Sequence, residues 1–290
     1  QGILVKHVTT DGDGRSAQGI ASAMERIDPL WQVTRQADTT HLSQSLFRKG
    51  IKASFSDTML PGTTKEEKKE QQKMLALDLK HRCHKIYKTM FEEMTGDIQK
   101  ITKRMPTVIE CTLDCYSGNC SSCRKQSVVC SGGKKNWISQ SMYLQACGVV
   151  DLTVSDEDRT ILRQLIQFYL GSGALQLIKL NSNTNKNEAV NRAISSSCPK
   201  NVLFSRNAKA RALSAISRLN KGAGNALIES LEAIGSPISK GGRVAKAIRQ
   251  LEKNARYHQA YSKSGFAKLA RFKAKYCQMR DYFACKRLRK

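Results

Sequence analysis

In VTTDGDGRSAQGI, residues 8–20, Asp11 and Asp13 flank Gly12 at the end of a hydrophobic run. A carboxylate at the end of a buried strand is held by the sheet while its oxygens face a cleft. That setting suits Mg2+, which takes one or two carboxylates and keeps several waters. The same letters describe an Asp-Gly turn with both carboxylates in solvent. A second candidate is Glu188 in NTNKNEAVNRAI, which on a helix shares a face with Asn191. The asparagine-rich, lysine-bearing loop before it suits a phosphate at a helix start, while an ordinary exposed helical Glu is the plain alternative. In ADTTHLSQSLFRKG, Asp38 and His41 lie one turn apart, as metal or phosphate ligands or as structural residues. Asp38 leans toward a helix N-cap, and His41 stays open.

The fourth cluster is CTLDCYSGNCSSCRKQSVVC, with Cys111, Cys115, Cys120, Cys123 and Cys130, five of the chain's 10 cysteines. Zinc takes four soft ligands tetrahedrally, and the C-x2-C pair of Cys120 and Cys123 supplies knuckle geometry for two of them. Cys115 is the third choice; the fourth is Cys130, Cys111 or Cys147. Such crowding reads as a metal cluster in a reducing compartment, against the alternatives of reduced structural thiols and of disulfides. No histidine lies near the cluster in sequence to activate a thiolate for catalysis.

The elements that must position these groups follow from periodicity. Residues 3–10, ILVKHVTT, read as a buried strand, 16–27 as a helix with Ala17, Ile20, Ala21, Met24 and Ile27 at helical spacing, and 31–34 as a second strand. Residues 1–35 are thus a β-α-β unit. A helix opens at Asp38 and carries Leu42, Leu46 and Ile51 toward a core. Residues 65–104 make one long helix or two, and the cysteine region after them is loop-rich. DEDRTILRQLIQFYL, 156–170, is a helix capped by Ser155 with acids in its first turn. Further helices are expected near Glu188 and over 208–219. Residues 243–290 read as two basic helices separated near Gly265. The second carries Phe266, Leu269, Phe272, Tyr276, Met279 and Phe283 along one stripe, a core or partner contact.

Lysine and arginine number 49 against 24 acidic residues, a formal net charge of +25. Residues 241–290 hold 15 Lys or Arg against only Glu252 and Asp281, so the charge is asymmetric and points to a polyanionic partner. An acidic membrane surface would also attract it, but no segment approaches the ~18–20 apolar residues of a membrane-spanning helix. Nucleic acid is the better reading.

VTTDGD after a strand, DTTH at 38–41 and NKNEAVNRAI after a long helical stretch together resemble the Mutator-like transposase domain of eukaryotic DNA transposons. SSCPKNVLFSRNAKARALSAISRLNKGAGN is similar to that family's continuation, so the resemblance spans residues 3–230. It implies an α/β, ribonuclease-H-like fold, a mixed sheet flanked by helices. An aspartate, aspartate, glutamate triad there holds two Mg2+ or Mn2+ ions for DNA strand cleavage and transfer. Asp11 matches the second aspartate, with Asp13 as its rival; Glu188 matches the glutamate and Asn191 the accompanying asparagine. Asp38 and His41 fall on the family's C-x2-H position, where this chain has aspartate in place of cysteine. The triad's first aspartate has no counterpart and is expected upstream, the chain reading as an N-terminally truncated fragment.

In this reading residues 1–41 and 181–230 form the partial catalytic core, 42–180 a helical insertion with the cysteine cluster at 111–130, and 231–290 a basic tail. The implied reaction is in-line attack on a phosphodiester, with ions about 3.5–4 Å apart activating the nucleophile and stabilising the leaving oxygen. Arg206, Lys209, Arg211, Lys268, Arg271 and Lys273 would hold backbone phosphates, in a salt-sensitive contact without base specificity. The expectations are thus DNA as partner, a nuclear location, structural Zn2+, no membrane, and assembly into a homo-oligomer left open. The alternative is a non-catalytic, zinc-stabilised nucleic-acid-binding protein; a third class is a scaffold built on the helical insertion.

Overall fold

The computed structural model describes residues 4–10, 14–132, 136–182, 184–199, 202, 206–239 and 241–288, with backbone only at 185–187 and 286–288. Asp11 and Asp13 therefore lie outside the described residues. The chain divides into two compact units, residues 1–183 with 276–290, and residues 184–275.

The first unit opens with β1 (His7–Thr10), α1 (Gly14–Ile27) and β2 (Thr34–Ala37), with β1 and β2 parallel and His7 opposite Thr34, Thr10 opposite Ala37. Parallel neighbours need a crossover element, which α1 supplies by burying Ala17 and Met24. The second strand starts three residues later than the sequence suggests. Trp31 is spent on another contact: its indole N–H donates to the Val5 carbonyl at 2.9 Å. Among the described residues these two strands are the whole sheet. A small β-α-β unit is present, the wider mixed sheet of a ribonuclease-H-like core is not among them, and helices predominate.

Asp38 caps α2 (Thr39–Lys52), accepting from the Thr40 and His41 amides at 2.6 and 3.1 Å. Its own amide donates to the Thr10 carbonyl at 3.0 Å, so the cap is continuous with the sheet. Residues 65–104 split into α3 (Lys65–Glu93) and α4 (Ile98–Tyr116). The break falls where Thr95 and Gly96 adopt φ of 50° and 76°, and Gly96 N–H turns back to the Phe91 carbonyl at 2.8 Å. That left-handed exit is a common helix stop. A Thr64/Glu67 capping box starts α3 and an Asp97 cap starts α4.

The short helices α5 (Cys123–Gln126), α6 (Trp137–Gln140) and α7 (Met142–Ala146) lead to α8 (Asp156–Leu170) and α9 (Ser172–Leu177). The cysteine region is thus less loop-like than its composition suggests, because α4 runs on to Tyr116 and carries Cys111 and Cys115. Leu75, Leu79, Ile86 and Met90 of α3 form the central stripe of the core, meeting Leu46 of α2, Ile101 and Met105 of α4 and Ile166 and Tyr169 of α8. Burial of each such side chain contributes about 1.5–3 kcal/mol. Ile51 does not join them; it is exposed. Arg159 and Arg163 of α8 bind Glu110 and Asp114 of α4, Arg163 by two bonds of 2.9 Å to Glu110, which fixes the last turns of α4. Near the chain's end, Phe283 is buried with Met74, Tyr143 and Ala146, with Met279 alongside.

The second unit holds α10 (Asn185–Ser197), α11 (Ala208–Lys221), α12 (Ala223–Ala233), α13 (Arg243–Lys263) and the first part of α14 (Gly265–Leu288). Its buried apolar residues include Ala215, Ala226, Ala245 and Ile248, a thin core of small side chains. The aromatic stripe expected of the last helix is therefore only partly internal: Phe266, Leu269 and Phe272 are exposed. No helix among the described residues is long and apolar enough to cross a membrane.

Candidate metal centre

Cys115 sits in the last turn of α4, and the chain then reverses so that Cys120, Cys123 and Cys130 come back to it. Gly118, at φ 81°, makes the exit turn and donates to the Cys115 carbonyl at 3.2 Å. Cys120 and Cys123 form a knuckle turn, the Cys123 amide bonding to the Cys120 carbonyl at 3.2 Å. Ser127 Oγ accepts from the Cys130 amide at 2.8 Å, holding the fourth cysteine in place. Gly132, at φ 61°, lies so close to α5 that a Cβ would fall 2.7 Å from the Arg124 nitrogen, so only glycine fits.

The four sulphurs of Cys115, Cys120, Cys123 and Cys130 all lie within 4.8 Å of one another. Cys115 to Cys123 is 3.0 Å and Cys120 to Cys130 is 4.0 Å. A tetrahedron of Zn–S bonds of about 2.3 Å needs sulphurs about 3.8 Å apart, so small side-chain adjustments fit this donor set to a zinc-like ion. Three of the four are buried and Cys120 is half-buried. Cys111 is a fifth neighbour, 3.7 Å from Cys123, while Cys147 stands apart with its thiol toward the Leu144 carbonyl. Of the three fourth ligands considered, Cys130 is the one brought into the group of four.

The electrostatics suit exchange of protons for a cation. Burial, reinforced by the Cys115 and Cys130 thiols, pushes the Cys123 thiol far up, and burial pushes Cys120 to about 11. Burial acts the same way on Cys130, but the Gly132 amide, the Cys123 and Cys120 thiols and the Arg82 charge outweigh it and bring its pKa below the ordinary thiol value. A divalent ion would displace those protons and relieve the mutual repulsion of the thiolates.

Behind the cluster is a polar group that sequence reasoning missed. Asp78 of α3 is buried and accepts from Tyr116 Oη at 2.5 Å, Trp137 Nε1 at 2.9 Å and Ser141 Oγ at 2.5 Å. One turn on, the Arg82 guanidinium lies over the Tyr116 and Trp137 rings, 4.9 and 4.2 Å from their centroids. The available signal was positional. Asp78 and Arg82 are interleaved with the apolar stripe of α3, where an unpaired charge is costly.

The remaining predicted residues fall as follows. Asp38 is a buried helix cap and His41 is half-buried in the first turn it caps. Glu188 and Asn191 are exposed on α10, Glu188 in its first turn, and belong to the second unit. Arg206, Lys209, Arg211, Lys268, Arg271 and Lys273 are all exposed in that same unit. Arg211 donates to the Ser197 carbonyl at 3.3 Å, and Arg271 to the Ser262 carbonyl at 2.7 Å. Residues 184–275 carry 19 Lys or Arg against Glu188, Glu229, Glu232 and Glu252.

The family model of the Mutator-like transposase matches residues 1–130. The match takes in the β-α-β unit, α2 to α5 and the cysteine turn as far as Cys130, so the resemblance read from the sequence holds for that span. Glu188 and the basic second unit lie beyond it. No curated protein and no solved structure matches the chain.

Proposed function

We propose, from the Mutator-like match over residues 1–130 as premise, that the chain works on DNA as part of a transposase-type apparatus for metal-dependent strand cleavage and transfer, in the nucleus. That match is the observation that carries the reading. Asp11, with Asp13 in reserve, and Glu188 would be the carboxylates for Mg2+ or Mn2+, and Asn191 would orient Glu188. The ions, when bound, would activate the attacking nucleophile and stabilise the departing oxygen. The chain's own contribution is to hold the carboxylates and to position the strand. For the latter, the 19 basic residues of the second unit supply a sequence-independent grip on phosphates. The cysteine cluster, loaded with Zn2+, would tie the end of α4 to the segment that leads into α6.

A second reading is favoured by the cysteine cluster and the basic second unit: a zinc-stabilised DNA-binding protein without catalysis. Both readings require a steep salt dependence. In a binding assay on duplex DNA, log K should fall linearly with log salt concentration, and replacing Lys268, Arg271 and Lys273 together by Gln should reduce that slope by up to about 3, near 0.9 per lost phosphate contact. A flat dependence would reject both readings and favour a scaffold. With the upstream segment expected to carry the first aspartate joined to the chain, nicking of supercoiled DNA that depends on Mn2+ and disappears in Glu188→Gln supports the enzyme; tight binding without nicking by that longer protein supports the second reading.

A further inference from the structure

Arg82 is 1% exposed, yet none of its Nε, Nη1 and Nη2 atoms has a hydrogen-bond partner among the described residues. Arginine stays charged in proteins and carries five N–H donors, so such burial calls for an acceptor. Asp78, one turn before it, balances its charge but accepts from Tyr116, Trp137 and Ser141 and makes no hydrogen bond to the guanidinium. The Tyr116 and Trp137 rings offer Arg82 their faces only. What lies beside the guanidinium is the Cys115 sulphur, and the same charge reaches Cys130.

A neutral thiol is a weak acceptor, whereas a metal-bound thiolate is a strong one. Four thiolates around a divalent ion carry a net charge of minus two, which a dry site stabilises poorly. Ligating groups are commonly oriented by a donor behind them. We propose that Arg82 is the built-in charge partner of the metal-loaded cysteine cluster, donating N–H to the Cys115 thiolate and halving the cluster's excess negative charge. Tyr116 and Trp137 hold the guanidinium flat, and Asp78 fixes those two rings. Arg82 is a positioning residue, acting on the metal through Cys115, and this role rests on the metal-centre reading above.

The test uses the full chain and Zn2+ or Co2+ alone as probe. Metal affinity is measured by competition with a chromophoric chelator, and the thiolate-to-cobalt charge-transfer bands report the sulphur ligands. Arg82→Met, which keeps much of the volume without the charge, should bind Zn2+ about 10- to 100-fold more weakly and shift those bands. Arg82→Lys, which restores a cation, should recover part of both. A folded Arg82→Met chain with unchanged affinity and unchanged bands overturns the role of Arg82. Should Arg82→Met fail to fold, the wild-type chain decides: the Arg82 guanidinium protons should move downfield, with coupling to the metal, on loading with cadmium-113, and an identical spectrum with and without metal overturns the proposal. A wild-type chain that shows no thiolate-to-cobalt bands overturns the metal centre itself, and Arg82's role falls with it.

Discussion

Asp78 serves three donors with two oxygens in the interior of the first unit. Replacing it by alanine leaves the Tyr116 hydroxyl, the Trp137 indole N–H and the Ser141 hydroxyl without that acceptor. Each orphaned buried donor costs about 1–3 kcal/mol, so Asp78→Ala is expected to lower stability by about 3 kcal/mol or more in urea denaturation, with an unchanged m value. A loss under about 1 kcal/mol would show that the network is replaceable. The four clustered cysteines were legible one by one from their spacing. The Asp78–Arg82 support behind them was not, because its partners are separated by up to 63 residues in sequence.

At the scale of elements, α2 lies against α3 where Gly50 meets Ala76; a Cβ on Gly50 would come 2.9 Å from the Ala76 Cβ and 3.3 Å from its Cα. Neither atom can swing away, so Gly50→Ala is expected to cost about 1–3 kcal/mol by overpacking, measured as a fall in Tm. The contact between α3 and α8 makes a different prediction. His84 Nδ1 is 2.9 Å from the Tyr169 hydroxyl, and burial, then Lys88 and Lys80, hold its pKa below 6.5. Above pH 6.5 both folded and unfolded states are neutral at this residue and stability does not depend on it. As pH falls from 6.5 toward the depressed folded value, the unfolded chain takes a proton that the folded chain refuses, so stability declines. His84→Gln should flatten that part of the stability–pH curve relative to wild type; a parallel curve would rule out His84 as the cause. The helices themselves were readable from caps and periodicity, Ser155 and Asp38 among them. Where α4 stops was harder, since the cysteines and Gly118 suggest a loop while the buried positions Val108, Cys111 and Cys115 keep helical spacing.

At the scale of the whole molecule, the two units differ in what holds them. The first unit has a continuous core of large side chains, and among the described residues the second buries mainly alanines and one isoleucine. A ligand that binds only the folded state adds stability in proportion to the logarithm of its free concentration relative to Kd, about 4 kcal/mol at a thousandfold excess over Kd. Purified protein is accordingly expected to carry about one zinc per chain, and a strong chelator should lower the thermal transition of the first unit, which holds the four cysteines. A zinc content near zero, or a melting curve indifferent to chelator, would refute a structural metal.

The sequence by itself determined the basic bias of the chain, the β-α-β start, the capped helices and a short list of cysteines, because each depends on residues within a few turns of one another. The Mutator-like resemblance was legible for the same reason: its opening motifs are local strings. Tertiary structure alone decided that Cys130 rather than Cys147 completes the group of four, and that a guanidinium from α3 stands behind Cys115. Those choices rest on how α3, α4 and the turns after Tyr116 pack, and packing brings together side chains whose spacing in the chain carries no period.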